Sequence, residues 1–334
     1  MGKKGCQQML TNDSQVLLAL CSHLGLAKDS DLSPLTLREW NPLVPKIQTS
    51  AFKRPEGLLG QTAEGVKAAL DLTDVETVRL AGLLERLDTI NQEVDRLASK
   101  GIEVVTRADI DYPQRYRQRL RESAPVVLFY AGEPALLGQP GIAVVGSRHL
   151  DQAGQECASF IGNACGLSGL VLYSGGAKGV DSLSMEAALE ARGSAVGILA
   201  DSLEAAVRHS RYKSSLSSGN LCLVTPYSPN AGFSVGAAMG RNRLIYCLAD
   251  YAIVVASDAE KGGTWAGATE ALKAGWIPVF VLNNQAASGG NSLLLKKGAV
   301  AFPHPFPEHY SKLPGWLEEN SPQPRSASTQ LAFF

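Results

Sequence analysis

Gly141-Ile142-Ala143-Val144-Val145-Gly146-Ser147-Arg148 is the stretch whose reading decides the fold. Its continuous Ile/Ala/Val run, bounded by glycines, shows no apolar–polar alternation, so it reads as a strand buried on both faces, as in a parallel sheet. Residues 151–167 then read as a helix, which puts Gly146-Ser147-Arg148 in a strand-to-helix loop. Such loops open at the carboxyl edge of a doubly wound sheet, where ligands collect. A glycine lets backbone amides approach an anion, a helix N-terminus favours negative charge, and an arginine adds a bidentate donor. The loop is therefore expected to meet a phosphate. A tight turn with a solvated arginine is the competing reading.

Downstream the alternation is regular, with strands expected at 170–173, 195–199, 221–225, 252–256, 278–282 and 299–302. Helices near 179–192, 203–209, 237–248, 264–274 and 291–297 lie between them. That order specifies an α/β fold: a Rossmann-like, doubly wound, mainly parallel sheet with helices on both faces. Upstream, strands at 102–106 and 126–130 flank a segment from Asp111 to Arg121 that interleaves Arg115, Arg117, Arg119 and Arg121 with Tyr112 and Tyr116. This composition suits a stacking platform for single-stranded nucleic acid, and equally a helix with buried tyrosines and solvated arginines.

Before residue 101 the pattern is helical. Residues 14–25 form an apolar stretch ending at Gly25, Ser33-Pro34 reads as a cap and first helical position, and Thr62 and Thr73 precede further helices, the second with Glu76 in a capping box. A last helix covers 91–100. The expected partition is a disordered leader at 1–12, a small all-helical N-terminal domain at 13–100, the Rossmann-like domain at 101–312 and a flexible tail at 313–334.

Bulk properties narrow the function. The chain has 334 residues, 45% hydrophobic and 19% charged, with a net charge of −1, so any nucleic-acid site must be a local basic pocket and not a basic face of the whole molecule. No apolar run approaches the roughly 20 residues that span a bilayer. The basic N-terminus lacks the apolar core of a signal peptide. Six cysteines at 6, 21, 157, 165, 222 and 247 are scattered without a CxxC pair, which reads as buried reduced thiols and a cytoplasmic protein. No metal site, cofactor or membrane contact is expected, and the five histidines form no spaced cluster. No nucleophile sits beside an obvious base; His149, next to the first loop, is the one histidine placed to matter.

Three further loops can share an edge with the first. Ser174-Gly175-Gly176-Ala177-Lys178-Gly179-Val180-Asp181 offers unusual backbone angles, a point charge at Lys178, and Asp181 as an acceptor for loop amides. It lacks the Gly-Lys-Ser/Thr ending of a nucleotide-hydrolysing loop. Arg241-Asn242-Arg243 opens an apolar helix, and one of its two arginines could reach a phosphate while the other serves the fold. Lys261-Gly262-Gly263-Thr264 places free amides and a hydroxyl at a helix N-terminus, a competent anion cradle.

In this order the loops resemble the DNA-processing protein A family (DprA, or Smf). The matching pieces are Gly101-Ile102 to Asp111-Tyr112-Pro113, Pro125 to Gly132, Val144 to Arg148, Ser174-Gly175 to Gly179-Val180-Asp181, Arg241-Asn242-Arg243 and Gly262-Gly263-Thr264. The resemblance implies an extended Rossmann-like domain that binds single-stranded DNA in a basic pocket, forms a homodimer and loads a RecA-type recombinase, without catalytic turnover. Carried over by position, Arg148, Lys178, Arg241 and Arg243 would contact phosphates. Gly146, Ser147, Ser174, Gly175, Asn242, Gly263 and Thr264 would supply further donors, with Arg211, Lys213 and Lys261 as additional contacts. This chain departs from the family at Met185, where members commonly carry a histidine, and at Arg208 to Lys213, which replace a Tyr-Pro segment. The stretch after residue 314 is expected to be too short for the winged helix that some members carry.

Two other functions compete. The wider superfamily resembles nucleotide phosphoribohydrolases, whose Gly-Gly-x-Gly-Thr-x-x-Glu glutamate does chemistry; here Gly267 takes that place and Glu270 lies a helical turn later. A nucleotide-binding sensor using the same edge is the other.

Overall fold

The structure, a computed structural model, describes residues 10–27, 29–283, 289–307 and 312–322. In chain order, the helices α1 (Asn12–Cys21), α2 (Leu37–Thr49), α3 (Ala63–Leu70), α4 (Asp74–Leu84) and α5 (Leu87–Ala98) come first. Then follow β1 (Glu103–Thr106), α6 (Gln114–Leu120), β2 (Val127–Gly132), β3 (Gly141–Gly146), α7 (Gln152–Ser168), β4 (Val171–Ser174), α8 (Val180–Glu190) and β5 (Ser194–Ile198). The chain continues through α9 (Leu203–Arg208), α10 (Ser210–Ser218), β6 (Leu221–Thr225), α11 (Val235–Leu248), β7 (Tyr251–Ala256) and α12 (Gly262–Ala274). It closes with β8 (Val279–Leu282), α13 (Gly289–Lys296), β9 (Val300–Phe302) and α14 (Leu313–Glu319).

The nine strands hydrogen-bond in the order β1-β2-β6-β5-β4-β3-β7-β8-β9. The pairs β3–β4, β3–β7, β7–β8 and β8–β9 are parallel, whereas β1–β2 and β2–β6 are antiparallel. The mainly parallel α/β sheet expected from the buried apolar runs is therefore present, with an antiparallel edge. The chain divides into two compact units, residues 1–138 with 196–248, and 139–195 with 249–334. This cuts the chain differently from the linear partition read from the sequence.

In the first unit, α1 is the buried hub: Val16, Leu17, Leu18, Ala19 and Leu20 are each 2% exposed or less. It packs on α4, α5 and β1. The last turn of α1 leaves carbonyls without helical partners, and buried Arg86 serves that end, donating to Ala19 O, to Leu24 O at 2.9 Å and to Ser22 O at 3.3 Å. Thr73 and Glu76 form the expected capping box. The helix expected to open at Pro34 starts instead after Thr36, because the Glu39 carboxylate accepts from the Thr36 N–H and hydroxyl, both at 2.8 Å. Glu204, a buried carboxylate on α9, takes Arg96 at 3.0 Å and Lys100 at 2.6 Å. The Arg96 guanidinium hydrogen-bonded to it holds its carboxyl below the usual range.

In the second unit, α7 and α8 approach as only small residues allow. A Cβ on Gly162 would lie 2.2 Å from Ser184 O, and one on Gly166 would lie 2.7 Å from Ala191 Cβ. The tail expected to be flexible from residue 313 begins with a packed helix: Leu313, Trp316 and Leu317 of α14 are buried. The Trp316 ring lies 5.3 Å from Phe302 and 5.5 Å from Phe280, so buried aromatic area holds this end. Residues 1–9 of the expected leader and 323–334 of the tail lie outside the described residues. The five described cysteines carry no disulfide. Burial pushes the Cys157 and Cys165 thiols up to about 12.

Candidate nucleic-acid interface

The strands β4 and β7 flank β3 as parallel neighbours, so chain that leaves β3 on one side returns to its other side. This is a topological switch point, and the loops after β3, β4 and β7 leave the same edge of the second unit. Their backbones interlock there. Ser147 N donates to Ala256 O at 2.9 Å, and Val180 N donates to Ser147 O at 3.3 Å. Gly179 sits at φ +89°, and a Cβ there would lie 2.4 Å from Ser147 O, so only glycine lets the second loop close on the first. Gly146 is equally tight, 2.3 Å from Val180 Cγ2 if given a Cβ.

Locking these loops consumes several groups expected to meet phosphate. Ser174 is fully buried and its hydroxyl donates to Val144 O at 2.6 Å. Gly175 N donates to the buried Asp181 carboxylate at 3.1 Å, the loop-fixing role read for that aspartate. Both belong to the frame in this structure and not to the surface. The N-terminus of α7 is capped by the chain itself: Asp151 Oδ1 accepts from Gly154 N at 2.8 Å, so that helix end is not where an anion enters. Ser147 keeps its hydroxyl near the surface, accepting from His149 N at 3.1 Å.

Three cations face outward, with exposed Asp258 and Glu260 also on the last of the three loops. Arg148, Lys178 and Lys261 are exposed, each on one of three loops from adjacent parallel strands. Half-buried Gly263 and Thr264 begin α12, whose N-cap Lys261 makes no side-chain cap bond. The first amides of this 13-residue helix thus have no side-chain acceptor at the cap, and its dipole points the same way as the lysine charge. The loop before α12 is tethered by a residue that the sequence reading missed. Asn291, buried, accepts from Ser257 N at 3.0 Å and donates to Val255 O at 3.0 Å and Leu282 O at 2.9 Å. An asparagine inside Gly289–Lys296 carries no local signal of that role; only the neighbouring strand ends supply its partners.

The first unit holds the other predicted residues. Arg241 is 5% exposed, and its Nη1 donates to Ile198 O at 2.5 Å, so it is the arginine that serves the fold. Asn242 and Arg243 are half-buried; Arg243 Nη2 donates to Ser123 O at 3.2 Å. Arg211 and Lys213 are exposed on α10, a helix the sequence reading did not assign, and the Arg211 guanidinium lies 4.6 Å from the Tyr212 ring centroid. Met185, at the family's histidine position, is core. The arginine–tyrosine segment is structural: Tyr112 and Tyr116 are buried, while Arg115 donates to Leu248 O and Arg119 to Cys247 O at 3.0 Å, capping α11. It is no stacking platform.

These features define a doubly wound α/β protein with exposed Arg148, Lys178 and Lys261 on the loops at its switch point. The family model for DNA recombination-mediator protein A matches residues 103–307, and the chain belongs to that family. It is 25% identical over 236 residues to the DNA processing protein DprA of Bacillus subtilis, covering 68% of this chain and 78% of that protein. The Streptococcus pneumoniae DprA is 31% identical over 182 residues, 53% of this chain and 63% of the relative. The chain spans 61% of the length of its Mycobacterium tuberculosis relative, at 27% identity. Among solved structures, the S. pneumoniae protein superposes with a TM-score of 0.62 at 20% identity, over 88% of this chain and 95% of that one, and so shares the fold. Helicobacter pylori DNA processing protein A, solved to describe its single-stranded DNA binding mode, has a TM-score of 0.51 at 26% identity, over 60% and 92%.

Proposed function

We propose that this protein binds single-stranded DNA in DNA processing and recombination, holding the sugar-phosphate backbone without turning it over. One observation carries the reading: Arg148, Lys178 and Lys261 stand exposed on neighbouring loops beside the N-terminus of α12. Backbone charge is what such a set recognises. Membership of the recombination-mediator family and the DNA-binding relative from H. pylori support it. Ser147, Gly263 and Thr264 complete the second unit's contacts, and Asn242, Arg243, Arg211 and Lys213 are the first unit's. Homodimerisation, a RecA-type recombinase as recipient of the strand, and a cytoplasmic setting belong to the same reading.

Hydrolysis of a nucleotide is disfavoured by chemistry. Gly267 occupies the glutamate position and is buried, while Glu270 is exposed one turn on. The test is fluorescence anisotropy with a labelled oligothymidine at two salt concentrations, against duplex competitor. Tight binding that falls steeply with salt and resists duplex is expected. Salt-insensitive binding, or affinity unchanged in both Arg148→Ala and Lys178→Ala, refutes it.

A further inference from the structure

A cavity of about 450 Å³ opens inside the first unit, between the end of α1 with the segment after it, strand β2, the loop 226–231 and the middle of α11. Leu35, Leu37, Val127 and Phe129 make most of its wall apolar. The polar elements are few. Tyr227 spends its hydroxyl on Ala237 O at 2.8 Å. Arg243 lines the same cavity with its Nε enclosed and without a hydrogen-bond acceptor among the described residues. An enclosed guanidinium N–H without an acceptor costs desolvation free energy that a bound anion would recover. An apolar chamber of this size with one convergent cation fits a flat heterocycle carrying a phosphate.

We propose that the cavity takes one unstacked base of the bound strand, with the adjoining phosphate on Arg243. This rests on the single-stranded DNA reading above. Single strands present unpaired bases at little cost, and a base enclosed by apolar and aromatic walls gains enough to be measured. The assignment also gives the N-terminal helices a part in binding, since α1 and the segment after it form one side of a base chamber.

The experiment compares an oligothymidine, an abasic oligomer of equal length, and thymidine monophosphate, using the full chain. Wild type should prefer the base-bearing oligomer by about tenfold, the range that base stacking supplies. Ala231→Trp and His23→Trp, which fill the cavity from a loop and from its exposed mouth, should remove that preference and leave the salt slope unchanged. Two variants in different segments guard against one failing to fold. Salt-sensitive binding with no base preference in wild type, or a preference that survives in both folded variants, overturns the cavity assignment alone. Thymidine monophosphate that saturates without displacing the oligomer overturns the strand as its source. Absence of salt-sensitive binding to either oligomer overturns this assignment and the proposed function together.

Discussion

Arg148 and Arg241 carry the same guanidinium to opposite ends. Arg241 is enclosed and bonded to Ile198 O, whereas Arg148 stands at the surface of its loop. Arg241→Ala should therefore lower stability by about 1–3 kcal/mol, the cost of stranding a buried acceptor, seen as a reduced denaturation midpoint. Arg148→Ala should leave stability within about 0.5 kcal/mol of wild type and weaken oligothymidine binding instead. Which of two arginines in Arg241-Asn242-Arg243 turns inward could not be read from the triplet, because the answer depends on a carbonyl some forty positions away. Ser174 and Gly175 teach the same lesson in reverse. Their types suit phosphate, but the Val144 carbonyl of β3 and the Asp181 carboxylate of α8 claim their hydrogen bonds first.

Among elements, the α7–α8 contact constrains the sequence tightly. Gly162→Val would drive two methyl groups into the Ser184 carbonyl, 2.2 Å from the first added carbon, and should cost about 1–3 kcal/mol or prevent folding, measured by urea titration. Helix α2 predicts a pH dependence. The Glu39 carboxyl is held down to about 2, first by the Arg79 hydrogen bond and then by Thr36. A carboxyl depressed on folding stabilises above its unfolded value of 4.5 and loses that contribution as pH falls toward about 2. Glu39→Gln should thus lower the melting temperature at pH 7, and the gap from wild type should close between about pH 4.5 and 2. Strands and the Thr73 box were legible because apolar runs and capping signals are local. Helix α14 was not: its seven residues look like a tail until Phe280 and Phe302 appear beneath Trp316.

For the molecule as a whole, positive and negative charges nearly balance. A net charge of −1 excludes general attraction to nucleic acid, so affinity must come from few contacts and each must register in the salt dependence. Arg148→Ala and Lys178→Ala should each lower the slope of log affinity against log salt by about 1. A slope unchanged in both would place the strand elsewhere. The parallel strands and the glycine-rich turns after β3, β4 and β7 were legible in the sequence, since such turns after buried apolar runs announce themselves. The division into units was not, because it depends on which strands become neighbours.

That division has a consequence for how the protein comes to exist. Each unit is assembled from two separate runs of chain, 1–138 with 196–248 and 139–195 with 249–334. During synthesis the first 138 residues emerge without β5, α9, β6 or α11, and Arg115 and Arg119 have no α11 carbonyls to bind until residue 248 has been made. The loops bearing Arg148 and Lys178 are by then already outside the ribosome, waiting for β7 and α12. Neither unit is a segment that can be cut out and expressed, and a nascent chain stalled near residue 200 exposes both half-built cores at once.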